Sequence, residues 1–199
     1  MSEQTLLVPT EDYLKSGIHI GTKFKTKYME KFIYKTRPDG LTVLNIQQID
    51  ERIRLAADML SKYAPEDIVV ISRRENGWKA VKQFGKLTGV KIFAGRYTPG
   101  LMTNPSLKNF LEAKIIVVID AWPDKNAVID AFKVGIPVIG LCDTNNNANY
   151  MDLVVPCNNK GKKSLGILFM ILSQKYMLAR HMIKNPSEFK YTLNDFSDE

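Results

Sequence analysis

Lys114-Ile-Ile-Val-Val-Ile-Asp120 decides the fold. An unbroken run of Val and Ile leaves no polar face for water, so a strand made from it is covered on both sides, as in a parallel sheet. Four more runs have the same character: Leu41-Thr-Val-Leu-Asn-Ile46, Asp67-Ile-Val-Val-Ile-Ser72, Val90-Lys-Ile-Phe-Ala94 and Ile136-Pro-Val-Ile-Gly-Leu141. A sixth, Asp152-Leu-Val-Val-Pro156, is shorter and suits a sheet edge, because Pro156 has no amide hydrogen for a ladder.

Helical patterns separate these runs. Ile46, Ile49, Ile53, Ala56, Leu60 and Tyr63 recur at steps of three and four, which puts them on one helix face, and Asn45 with Gln48 has the spacing of a capping box. Further helices are expected over Glu75 to Leu87, over Lys125 to Lys133, and from Ser164 to about Met182, the last apolar around much of its circumference. Asn104-Pro105 has the form of a helix cap followed by proline at the first helical position. Alternating strands and helices give an α/β class of three layers with a mostly parallel sheet of about five strands. Residues 41–184 are expected as this domain, residues 1–40 as a basic N-terminal segment packed on it, and residues 185–199 as a polar tail, either an extension or mobile.

Composition narrows the function classes. A chain of 199 residues with 45% hydrophobic residues fits one core, and its net charge of +7 favours a polyanionic partner. Cys142 and Cys157 have no cysteine or histidine at ligand spacing, which argues against a zinc site or a disulfide scaffold. Met1-Ser-Glu-Gln-Thr5 lacks the organisation of a signal peptide, and no apolar run approaches the roughly 20 residues that span a bilayer. A reducing, cytoplasmic setting with no membrane partner is the expectation.

A parallel sheet binds ligands at the carboxyl ends of its strands, so the loops there carry the chemistry if any exists. Pro156-Cys-Asn-Asn-Lys-Gly-Lys-Lys-Ser164 imitates a phosphate loop but puts Pro156 at the first glycine position and inserts Lys163 before Ser164, which reads better as a helix cap. Asp120 and Asp143 end their strands, yet Asn45-Ile46-Gln47-Gln48 lacks the acids that would complete a phosphoacceptor site, so turns and caps explain them. His19 and His181 stand far apart in the sequence, with His19 partly buried between isoleucines. No catalytic residue, metal ligand, cofactor or small-molecule substrate is expected; the alternative is a Rossmann-like enzyme that binds a nucleotide or sugar phosphate.

The basic residues are distributed unevenly. From Lys15 to Arg37, seven cations face only Glu30, a local charge of +6. Phe24, Tyr28, Phe32 and Tyr34 are interleaved, as in strips that track a nucleic-acid backbone while rings anchor to a core or stack on bases. Lys23, Lys25, Lys27 and Arg37 are the expected phosphate contacts. Arg73, Arg74, Lys160, Lys162 and Lys163 extend the set along the strand ends, and Arg96 and Tyr97 add a guanidinium and a ring from the loop Gly95 to Pro105. Tyr97 suits a core position equally well.

Tyr13-Leu-Lys-Ser-Gly-Ile-His-Ile-Gly-Thr22, Arg37-Pro-Asp-Gly-Leu41, Gly95-Arg-Tyr-Thr-Pro-Gly100, Cys142-Asp-Thr-Asn145 and Pro156-Cys-Asn-Asn-Lys-Gly161 occur in the order found in the universal small-subunit ribosomal protein S-two family, archaeal and eukaryotic type, which residues 12–183 resemble. The resemblance implies a flavodoxin-like sandwich, no reaction, and contact with small-subunit ribosomal RNA and neighbouring ribosomal proteins in the cytoplasm. The helical hairpin of bacterial members is missing and the acidic tail of eukaryotic members is reduced to Asn194-Asp-Phe-Ser-Asp-Glu199. The usual Asp-Leu-x-Lys-Thr is replaced by Asn45-Ile-Gln-Gln-Ile49, and Gly-Thr-Phe-Thr-Asn by Gly100-Leu-Met-Thr-Asn104, so family contacts at those positions do not carry over.

Overall fold

The computed structural model describes residues 6–197. Met1 to Thr5 and the last two residues of the acidic tail lie outside the described residues. The chain begins with helix α1 (Thr10–Ser16), which leads to a two-stranded antiparallel ribbon of β1 (Ile33–Thr36) and β2 (Thr42–Leu44). This corrects the expectation that Leu41 to Ile46 joins the central sheet. The turn at Arg37-Pro-Asp-Gly40, with Gly40 at φ +84° and its amide donating to the Arg37 carbonyl at 2.9 Å, folds the run back on its predecessor.

Helix α2 (Ile46–Ser61) follows at once, capped by Asn45 Oδ1 accepting from the Gln47 amide at 3.0 Å. The capping box with Gln48 does not form, since the buried Gln48 Oε1 has no partner among the described residues. Then come β3 (Ile68–Ser72), α3 (Trp78–Thr88), β4 (Lys91–Ala94), β5 (Ile115–Val118), α4 (Lys125–Val134), β6 (Val138–Cys142), β7 (Leu153–Pro156) and α5 (Lys162–Ala179). The five strands from β3 on form a wholly parallel sheet in the order β4-β3-β5-β6-β7, the flavodoxin-like arrangement.

Side chains alternate across each strand, so one apolar run serves two cores. Ile68, Val70, Ile115 and Val117 meet α2, α3 and α5, while Val69, Ile71, Ile116 and Val118 face the other way. On that second face α4 supplies Ala127, Val128 and Ala131, and the irregular segment after β4 supplies Tyr97, Leu101 and Met102. Asn104-Pro105 starts a turn there rather than the expected helix, with Asn104 Oδ1 accepting from the Ser106 amide at 3.0 Å. Asx turns and helix caps use the same side-chain acceptor, which is why the dipeptide reads both ways.

The ends are tied to this body. Asp50 on α2, itself buried, accepts from the Leu7 amide at 2.7 Å, the Tyr13 hydroxyl at 2.8 Å and Arg54 at 2.8 Å. Beyond α5 the chain returns to form α6 (Leu193–Phe196), which buries Phe196 beside Gly166. Lys79 donates to the carbonyls of Asn194 and Ser197, both at 3.0 Å. Residues 192–197 are thus a docked extension.

Candidate nucleic-acid interface

In this strand order the crevice that takes a ligand opens between β3 and β5, where the connections diverge to opposite sides. Here the protein fills it with its own groups. Arg74 pairs with the buried Asp120, the Arg73 amide donates to Asp124 Oδ2 at 3.1 Å, and the Trp78 indole donates to the Ser72 carbonyl at 3.1 Å. Asp120 Oδ1 also accepts from the Trp122 amide at 3.0 Å and from the Asn146 carboxamide at 2.8 Å. Asp124 keeps one oxygen, Oδ1, without a partner among the described residues, and burial with the nearby Asp120 charge pushes its pKa up to about 6.

The network runs on across the sheet. Asn146 Oδ1 accepts from the Asp143 amide at 2.8 Å and from the Asn159 carboxamide at 3.0 Å, which also donates to the Leu141 carbonyl. Lys160 pairs with the buried Asp143 at 2.8 Å and reaches Asn145. The loop that imitates a phosphate cradle is spent in the same way: Asn158 Oδ1 accepts from the amides of Lys160 and Gly161 at 3.1 and 3.2 Å. Two of the loop amides a phosphate would use are therefore taken. The expectation that Ser164 caps the helix is corrected: Gly161 holds the cap position, and the Ser164 hydroxyl donates to the Asn158 carbonyl at 2.6 Å.

The basic segment is pinned to this edge through Thr144. Its hydroxyl accepts from the Thr22 amide at 3.0 Å and lies 3.0 Å from the Phe24 carbonyl, while its carbonyl accepts from the Thr26 amide at 2.9 Å. Close approach demands a glycine at the start of the segment: a Cβ on Gly21 would stand 2.6 Å from both Thr144 Cγ2 and Thr42 Oγ1. Lys23, Lys25 and Lys27 consequently alternate with anchored residues and project from an ordered loop.

The expected contact residues separate into three groups. Lys23, Lys25, Lys27, Arg37, Arg73, Arg96, Lys162 and Lys163 are exposed. Lys25 and Arg37 meet Glu30 at 3.3 Å and Asp39 at 3.6 Å, exposed pairs that contribute little and exchange easily. Arg74 and Lys160 are instead half-buried and neutralised by Asp120 and Asp143. Tyr97 is corrected outright. It is 3% exposed, and its hydroxyl donates to Asp130 at 3.1 Å and accepts from the Met102 amide at 3.3 Å. Its ring fills the second core, and burial with the Asp130 charge raises its pKa far above the usual phenol.

Among the interleaved aromatics, Phe32 is core, while Phe24 is 80% and Tyr34 70% exposed. Lys31 lies 3.9 Å from the centroid of the Tyr28 ring. Thr144 lies in the Cys142-Asp-Thr-Asn145 motif, yet nothing local in the sequence connects it to residues 22–26. His19 is half-buried with its pKa lowered by desolvation, and among the described residues no nucleophile or carboxylate is bonded to it.

Fold and site together define an α/β scaffold whose strand-end groups bind one another and whose exposed cations stand on an anchored N-terminal strip. The family description "Ribosomal protein S2" matches residues 13–111 and 107–178. The chain is 43% identical over 196 residues to "Small ribosomal subunit protein uS2" of Picrophilus torridus, covering 98% of each. It is 45% identical over 190 residues to the protein of that name from Nanoarchaeum equitans, covering 96% of this chain and 94% of the relative. It is 46% identical over 191 residues to one from Methanococcus maripaludis, covering 96% and 87%. The chain belongs to the ribosomal protein S2 family.

Proposed function

We propose that this chain is a structural constituent of the small ribosomal subunit, holding ribosomal RNA and neighbouring ribosomal proteins during assembly and translation in the cytoplasm. Family membership supports the role, and it makes the chain a structural component rather than an enzyme. The observation that carries the RNA reading is the anchored strip: exposed lysines at positions 23, 25 and 27 on a loop fixed to Thr144. Ordering the loop beforehand lowers the entropy lost on binding. Arg37, Arg73, Arg96, Lys162 and Lys163 extend the phosphate-facing set; Arg74, Lys160 and Tyr97 serve the scaffold. In this reading the basic segment within residues 1–40 faces the RNA, residues 41–184 form the scaffold, and the tail packs on it through the described residues up to Ser197. The nucleotide- or sugar-phosphate reading has no support: two amides of the loop are taken by Asn158 and the crevice carboxylate Asp120 by Arg74.

Association with small-subunit ribosomal RNA, followed across salt, tests the strip. Each phosphate contact removed flattens the slope of log K against log salt by roughly 0.7 to 0.9. Replacing Lys23, Lys25, Lys27 and Arg37 together by Ala is expected to flatten it by about 3. An unchanged slope overturns this assignment.

A further inference from the structure

We propose that the groove between α4 and the loop after β6 binds unpaired nucleotides of an RNA strand. The inference rests on the RNA reading of the strip but concerns a different surface. The groove holds about 800 Å³, within the roughly 300 to 1,000 Å³ common for ligand sites. Three rings line it in exposed positions. Trp122 is 73% exposed, on the loop that Asp120 fixes through the Trp122 amide. Phe132 and Tyr150 lie with centroids 4.5 Å apart, both more than half exposed. Tyr150 takes φ +62°, a left-handed conformation uncommon for an aromatic residue and concentrated at functional sites.

The polar lining selects among occupants. Asn147 and Asn149 are exposed, unlike the buried Asn146 of the network, and each carboxamide offers donors and an acceptor to a base edge. Lys125 and Lys133 are the charged side chains of the lining, which contains no acid. Rings for stacking, carboxamides for base edges and cations for phosphates are the three parts of single-strand recognition. Thr26 also lines the groove, between exposed Lys25 and Lys27, so the groove opens directly onto the basic strip. A duplex keeps its bases stacked inside and cannot reach the rings.

Tryptophan emission and anisotropy read the groove and total binding separately. The full chain is titrated with a mixed-sequence single-stranded RNA of roughly 12 nucleotides, an abasic strand of equal length and the matching duplex. The emission contributed by Trp122 is that lost in Trp122→Phe, a substitution that touches no core because the ring is exposed. The single strand is expected to quench it; the abasic strand and the duplex are expected to bind without quenching. Phe132→Ala should weaken single-strand binding about fivefold or more while leaving the salt slope unchanged. RNA association with Trp122 unquenched, or quenched equally by the duplex, overturns the proposal and favours a protein occupant, but leaves the strip intact. No association with any RNA overturns the strip reading itself.

Discussion

The carboxyl edge of the sheet and the segment from Thr22 to Arg37 both carry polar and charged residues, and the fold uses them in opposite ways. At the edge, Asp120, Asp143, Asn146 and Asn159 are buried and bonded to one another or to Arg74 and Lys160. In the segment, the cations are exposed and either free of ion pairs among the described residues, as Lys23 and Lys27 are, or held only by exposed acids. A buried charge must be paired, whereas an exposed one is already solvated and costs nothing to leave open. The two regions meet at Thr144, so the spent network positions the unspent charges.

Removing Asp120 breaks the comparison most severely. It would leave Arg74 half-buried without its carboxylate and take acceptors from Asn146 and the Trp122 amide. Asp120→Ala is expected to cost about 3 to 5 kcal/mol of unfolding free energy, read by urea denaturation. A cost below about 1 kcal/mol would show that the edge charges behave like surface charges and that the contrast is unfounded.

Gly21→Ala probes the join with a smaller effect. The new methyl must displace Thr144 or Thr42, both β-branched and stiff, and the expected cost is about 1 to 3 kcal/mol. RNA association should weaken as well, although no cation is removed. If affinity is unchanged while stability falls, the anchoring of the strip to the edge contributes nothing to binding.

How far these regions could be read from sequence follows from the distance over which their contacts form. The strands of the sheet declare themselves because continuous apolarity is a local property: β3, β4, β5 and β7 lie within the apolar runs, and β6 ends one residue past its own. Leu41 to Ile46 has the same composition and pairs elsewhere, because the tight turn at Arg37 to Gly40 sets Thr42–Leu44 antiparallel to Ile33–Thr36. The strip is legible because charge density is local too. The network is not: Asp120, Asn146 and Asn159 meet across 26 and 13 residues of chain, and only the parallel register of β5, β6 and β7 brings them together. Tyr97 could be read either way until Asp130, 33 residues later, was placed under its hydroxyl.

Asp124 sharpens the comparison from within the edge, because it is the buried acid there that the network satisfies on one oxygen only. Its folded pKa stands at about 6, above the 3.8 of an unfolded carboxyl. Between those values the folded state holds a proton that the unfolded state has released, so this group makes stability fall as pH rises through the window and level off above it. Asp124→Asn copies the protonated acid, keeping an acceptor for the Arg73 amide and adding donors without charge. The variant is expected to match the parent at pH 4 and to exceed it by about 2 kcal/mol at pH 7, in denaturation measured at both pH values. Equal stability at pH 7 would mean that the crevice admits enough water to solvate the carboxylate, and the boundary between spent and open charge would then lie deeper than β3 and β5 imply.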